Sequence, residues 1–189
     1  ANQSVPPARP TADADFICQL FDQLFLESEN TVLRGGAPEP LYEPANRSTP
    51  ATIYFREDFV ASALHEIAHW CIAGRTRREQ VDYGYWYEPD GRSPADQARF
   101  SLVEARPQAL EWCFSQAAGV PFRVSLDNLH TTTDADHALS FAIQVQQEAR
   151  RWQARALPRR AGLFFFGLSA KLRHGFEQAQ LDFSELPAV

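Results

Sequence analysis

Cysteine is scarce in this chain. Cys18, Cys71 and Cys113 are the only three among 189 residues, and no CxxC or CxxxxC pair occurs. That spacing excludes a zinc ribbon and a dithiol redox motif. Each cysteine falls on an apolar helical pattern, the place of a reduced core residue in a cytosolic protein. No apolar run reaches the 18 residues that would suggest a membrane-spanning helix, and the start ANQSVPPARP lacks both the basic and the apolar stretch of an export signal. The expectation is a soluble, unexported, cytoplasmic chain with no membrane contact. Basic residues are outnumbered: 18 Lys and Arg against 24 Asp and Glu leave a net charge of −6. With a pI near 5.4, this speaks against a broad nucleic-acid-binding surface and suits a cationic substrate. Methionine and internal repeats are both absent.

The material for a core is ample. The chain is 44% apolar with fourteen Phe and four Trp, enough for one domain of this length. Residues 1–12 are rich in Pro and Ala without periodicity and are expected to be a mobile tail, leaving 13–189 as a single domain. Phe16, Ile17, Leu20, Phe21, Leu24 and Phe25 trace a first helix from Ala14 to about Ser28. Thr31 to Arg34 reads as a short strand closed by Gly35 and Gly36, and Leu41 with Tyr42 as a brief extended piece. Thr52 to Phe55 reads as a strand leading into a helix for which Asp58 is the expected N-cap. Downstream, helices are expected over Ala105 to Ala118, with Pro107 in its first turn, over Asp136 to Ala156 and over Arg159 to Arg173. Pro121 to Val124 is a further strand candidate. The apolar block Leu163 to Leu168 is a buried helix face. The sum is an α+β fold, predominantly helical, with a small antiparallel sheet of two to four strands and a zincin-like HExxH metal helix.

That helix carries the chemistry. In Ala61 to Gly74, ASALHEIAHWCIAG, His65 and His69 are four residues apart and lie on one helical face, so both imidazoles can converge on one divalent ion. Glu66 stands about a quarter-turn away, close enough to touch a species held by the metal. Val60, Leu64, Ile67, Ala68, Cys71 and Ile72 recur on the face that packs, Gly74 supplies a stop, and Arg75, Arg77 and Arg78 suit the negative end of the helix dipole. The third ligand is expected from a separate element. Glu104, 35 residues past His69 and just before the next expected helix, has the favoured spacing; Glu111, seven residues further on the same face, is its rival. His130, His137 and His174 are isolated in polar sequence and read as surface or capping residues.

The string ASALHEIAHWCIAGRTRREQVDYGYWYEPDGR, followed by VEARPQALEW, AAGVPF and DNL, resembles the bacterial elongation factor P hydroxylase family. The resemblance runs from about Phe16 to Asn128. It implies an enzyme that hydroxylates a lysine of translation elongation factor P after a β-lysyl unit has been attached to it, with His65, His69 and Glu104 as the metal set. Hydroxylating an unactivated carbon requires a redox metal, so the resemblance implies Fe(II), with dioxygen as co-substrate and a reductant that the sequence does not specify. Zinc would fit the same donors. Glu66 then acts beside the ligands, orienting a bound species or relaying a proton.

Under the same resemblance, Tyr83, Tyr85, Trp86 and Tyr87, with Asp82, Glu88 and Asp90 and with Arg92 closing the PDGR turn, form a candidate site for a long amine-bearing side chain. A packed hairpin explains the same residues equally well. Arg150, Arg151, Arg155, Arg159 and Arg160 make a basic stretch that either docks an acidic partner or forms a solvated helix face. Two other functions stay open on sequence: a zinc metallopeptidase with Glu66 as general base, and a non-catalytic, metal-stabilised module that binds a translation component.

Overall fold

The computed structural model describes residues 10–82, 94–126 and 135–189. The mobile-tail expectation therefore falls largely outside the described residues, as do Tyr83, Tyr85, Trp86, Tyr87, Glu88, Asp90 and Arg92 of the aromatic loop, and His130. Among the described residues the order is α1 (Ala14–Glu29), β1 (Thr31–Ala37), β2 (Leu41–Glu43), β3 (Ala51–Arg56), α2 (Val60–Ile72), α3 (Pro94–Ala118), α4 (Ala135–Gln153) and α5 (Arg159–Leu172). No helix among them is long and apolar enough to cross a membrane.

Helix α1 starts where Asp13 accepts a hydrogen bond from the Phe16 N–H at 2.8 Å, and it ends at Asn30 in the left-handed conformation. Its buried stripe of Ile17, Leu20, Phe21 and Phe25 meets α2 and α5 in an aromatic cluster: Phe21 lies 4.9 Å from Phe25, 5.1 Å from Trp70 and 6.3 Å from Phe164, centroid to centroid. The same helix holds the sheet edge, because Asp22 accepts from the Leu33 N–H at 3.0 Å and from the Arg34 guanidinium at 2.6 Å.

The sheet is mixed, which corrects the antiparallel expectation. Its order is β1-β3-β2, with β1 parallel and β2 antiparallel to the central β3. Periodicity along β3, where Ala51, Ile53 and Phe55 are buried, identifies a strand without revealing the direction of its neighbours. Strand β1 also continues past the expected stop at Arg34: a bulge between Arg34 and Ala37 carries it on, and a Cβ on Gly35 would meet the Phe55 ring at 2.7 Å. Of the Pro121–Val124 candidate strand, Arg123 forms an isolated bridge with Ala188.

Two further expectations are corrected around α2 and α3. Glu57 turns the chain at φ 51°, so Phe59 rather than Asp58 precedes the first turn of α2, without a side-chain cap. Instead Ser62 Oγ accepts from the Arg56 N–H at 3.0 Å and ties strand to helix. Helix α3 begins eleven residues earlier than expected and carries Pro107 inside it, where the proline lacks the N–H that the Val103 carbonyl would otherwise receive.

The end of α2 is closed from another element. The Arg160 guanidinium of α5 donates to the carbonyls of Trp70 at 2.8 Å, Cys71 at 3.2 Å and Ala73 at 2.7 Å, and lies over the Trp70 ring at 4.6 Å. The basic stretch is likewise engaged within the chain: Arg150 donates to the Phe183 carbonyl at 3.0 Å, Arg151 pairs with Glu148, Arg155 bonds the Arg151 carbonyl and Arg159 pairs with Glu29 at 3.0 Å. The Arg150 contact helps fasten residues 178–189, whose Leu181 and Phe183 enter the core. All three cysteines are free, and burial pushes the Cys18 thiol up to about 11 and those of Cys71 and Cys113 higher still.

Arg160→Ala is expected to lower unfolding stability by about 1.5–3 kcal/mol in chemical denaturation, the range for hydrogen bonds to a charged group. Arg160→Lys is expected not to restore it, since one ammonium cannot span three carbonyls.

Candidate metal centre

Helices α2 and α3 meet through polar side chains as well as through the core. Along α3, Ser101, Glu104, Gln108, Glu111 and Ser115 recur at alternating spacings of three and four residues, and all five are buried. Their neighbours Ala105, Ala109, Leu110, Cys113 and Phe114 fill the core beside them. Against this polar stripe α2 presents His65 and, toward a cavity, His69.

The distances are short and mutual. His65 Nε2 lies 3.1 Å from Glu104 Oε1, His69 Nε2 lies 3.3 Å from Glu104 Oε2, and the two imidazole Nε2 atoms are 3.0 Å apart. Two imidazole nitrogens so close need a proton or a metal ion between them. Donors sharing one first-row ion, at bonds of about 2.0–2.2 Å, stand about 3.0–3.4 Å from each other. His65, His69 and Glu104 meet that requirement, as the one group of ligating side chains, among the described residues, whose donor atoms lie within 4.8 Å of one another. Two imidazoles and one carboxylate form a hard, all N/O set that leaves further coordination positions open.

The support behind the set is as informative as the set. Glu111 Oε2 lies 2.8 Å from His65 Nδ1. A proton on Nδ1 donated to Glu111 fixes the tautomer whose Nε2 lone pair points at Glu104 and His69, as carboxylates behind metal-bound histidines do. Glu104 is steadied in turn: the Gln108 amide donates to it at 3.4 Å and to the Ser125 carbonyl at 2.9 Å, while the Ser125 N–H donates back to Gln108 at 3.0 Å.

Electrostatics fit a site built for a cation. Burial alone would lower the basicity of His65, yet Glu104 and Glu111 outweigh it and raise its pKa well above the ordinary histidine value. Burial would raise Glu104, but His69 and His65 outweigh it and hold that carboxyl far below the carboxylate range. Glu66 and Glu111 are both raised, chiefly by burial. Glu66 shares its side of α2 with His69 and Trp70 and lines a cavity of about 510 Å³, whose wall also includes Glu104, Val103 and Asp82.

Both carboxylates weighed on sequence therefore sit at the centre, Glu104 among the donors and Glu111 behind His65. The signal for Glu111 is the stripe of polar residues at core spacing on α3; its neighbours Leu110 and Trp112 mask it. Gln108 carries the same signal. His137 is half-buried on α4 and His174 is exposed beyond α5.

Glu111→Ala is expected to weaken Fe(II) or Zn(II) binding about 10–100-fold, read by chelator competition, with the circular dichroism spectrum unchanged. Because metal must displace the proton that His65 holds, affinity is expected to fall as pH is lowered through the raised pKa of His65, approaching tenfold per pH unit with one proton released per ion. Calorimetry in buffers of different ionisation enthalpy counts that proton; affinity independent of pH below 7 would remove His65 from the donor set.

A family model for elongation factor P hydroxylase matches residues 20–184. The elongation factor P lysine hydroxylase of Haemophilus influenzae is 46% identical over 146 residues, which is 77% of this chain and 81% of that protein. Matches of this extent and identity, spanning both helices of the metal centre, show that the chain belongs to the elongation factor P hydroxylase family.

Proposed function

We propose that the protein hydroxylates the β-lysylated lysine of elongation factor P in the cytoplasm, using Fe(II) held by His65, His69 and Glu104 and dioxygen as co-substrate. The observation that carries this reading is the convergence of two imidazoles and one carboxylate within 3.0–3.3 Å of each other at the edge of a cavity, in a chain 46% identical to a named lysine hydroxylase. Bound Fe(II) supplies the one-electron chemistry with dioxygen that an unactivated C–H bond requires, with two electrons drawn from a reductant.

The protein's own residues do the rest. Residues 13–189 act as one catalytic domain. Glu111 and Gln108 hold His65 and Glu104 in place from behind, so the donors are set before metal or substrate arrives. His69 and Glu104 present the site to the cavity, and Ile72, Val103 and Pro107 give that cavity apolar wall suited to methylene groups. Glu66 is the carboxylate beside the ligands, on the wall of the cavity that the substrate side chain enters. Tyr83, Tyr85, Trp86, Asp90 and Arg92 follow directly in sequence from Asp82 on the cavity wall, which supports a part for them in binding the substrate side chain.

The test is intact-mass analysis of β-lysylated elongation factor P incubated with the Fe(II)-loaded protein and a reductant, in air and without oxygen. A gain of one oxygen atom in air alone is expected. His65→Ala, His69→Ala and Glu104→Ala are each expected to abolish it while keeping a folded circular dichroism spectrum, and retained activity in any of them removes that residue from the site. No gain by metal-loaded wild type overturns the hydroxylase reading.

A further inference from the structure

The cavity beside the metal centre holds an acid that the metal set does not use. Among the described residues, the other carboxylates at or near the centre are already engaged. Glu104 lies against His65 and His69, Glu111 bonds His65 Nδ1, and Asp82 pairs with Arg77 at 2.7 Å. Glu66 alone of these makes no hydrogen bond or ion pair with a described residue. The imidazoles of His65 and His69 attract it, but no side chain among the described residues bonds it. Arg77 is paired with Asp82, Arg78 lies 3.4 Å from Glu29, and the Arg160 guanidinium is spent on the end of α2. A carboxylate in a partly apolar cavity without a hydrogen-bond donor is costly unless a ligand brings one.

Its place decides which ligand. Glu66 and His69 are three residues apart on the same side of α2, which sets their Cβ atoms about 5–6 Å apart. Trp70, Ile72, Ala73 and Val103 line the same cavity, as do Arg77 and Arg78 beyond the C-terminal end of the helix. Glu66 thus stands about one helical turn N-terminal to the metal edge, on a wall with apolar members. A flexible methylene chain fits those apolar members and an ammonium fits Glu66.

We propose that Glu66 is the residue that selects the substrate's amine: its carboxylate pairs with an ammonium of the aminoacylated lysine side chain, and so sets the methylenes a few bonds from that nitrogen beside His69 and Glu104. This rests on the hydroxylase reading for the identity of the substrate, and it makes Glu66 a specificity-determining residue rather than a proton carrier.

The test uses the Fe(II)-loaded full chain and two peptides copied from the modified loop of elongation factor P, one with free amines on the aminoacylated lysine and one with those amines acetylated. Glu66→Gln is expected to raise KM for the free-amine peptide by at least about tenfold while kcat at saturation stays within about threefold. Wild type and variant are expected to handle the acetylated peptide alike, and Glu66→Asp, which keeps the charge, is expected to recover part of the loss. A fall in kcat at unchanged KM on both peptides, or equal weakening for both, overturns the proposal. If wild type oxidises neither peptide, the hydroxylase reading fails on its own. Anaerobic equilibrium binding of both peptides to metal-loaded wild type and Glu66→Gln then decides for Glu66: a loss confined to the free-amine peptide supports the pairing, and equal affinities overturn it.

Discussion

His65 held between Glu104 and Glu111 is the interaction on which the rest of the structure depends. One imidazole bridges two buried carboxylates on α3, at 3.1 Å through Nε2 and 2.8 Å through Nδ1, and thereby fixes how α2 lies against α3. A seam of buried ionisable groups is a poor source of stability, because desolvation offsets most of the attraction. Its value lies in specificity: only one rotation of α2 presents His65 to both carboxylates and His69 to the cavity. Without metal a proton must serve as the cation of the seam, and with metal the same geometry becomes a donor set. Metal binding and protonation are thus alternatives at one position: the raised basicity of His65 and the depressed pKa of Glu104 come from their mutual attraction, and a cation held among the same atoms would take the proton's place.

Because that seam contributes little net stability, other contacts must keep α2 in place. The back of α2 buries Leu64, Ile67, Ala68 and Cys71, and Trp70 stands 4.9 Å from Phe25 and 5.1 Å from Phe21. Arg160 closes the helix end, and Phe164 from the same helix joins the aromatic cluster. The metal face is therefore the polar side of an otherwise apolar element clamped by α1, β3 and α5. Residues 178–189 complete the frame at a distance: Phe183 packs on Trp112 at 4.6 Å, on the helix that carries both carboxylates. The Val124 N–H bonds the Ala188 carbonyl at 2.8 Å, one residue from the Ser125 that holds Gln108.

Much of this was legible from residue spacing. The alternation of apolar residues around His65 and His69 identified α2 and its two faces, and the spacing to Glu104 picked out the third member of the group. The misses have physical causes. Pro107 reads as a helix start because it lacks an N–H, yet α3 begins at Pro94, eleven residues before the expected start at Ala105, since tertiary packing outweighs one lost hydrogen bond. Glu111 reads from spacing only as a rival to Glu104, although Ser101, Glu104, Gln108, Glu111 and Ser115 repeat at the spacing of a buried seam; polar residues at that spacing mark a functional interface as clearly as leucines mark a core. The parallel pairing of β1 with β3 was not accessible, because strand periodicity carries no direction. The roles of residues 178–189 and of the arginines near 150–160 depend on contacts distant in sequence, which no local pattern encodes.

X-ray absorption at the iron edge of anaerobic, Fe(II)-loaded protein tests the central claim most directly. A metal centre built from α2 and α3 predicts a coordination shell of nitrogen and oxygen only, with the scattering of two imidazoles, and one imidazole remaining in Glu104-intact protein when His65 is replaced by Ala. Sulfur in the shell, or two imidazoles persisting without His65, would contradict a site made from His65, His69 and Glu104.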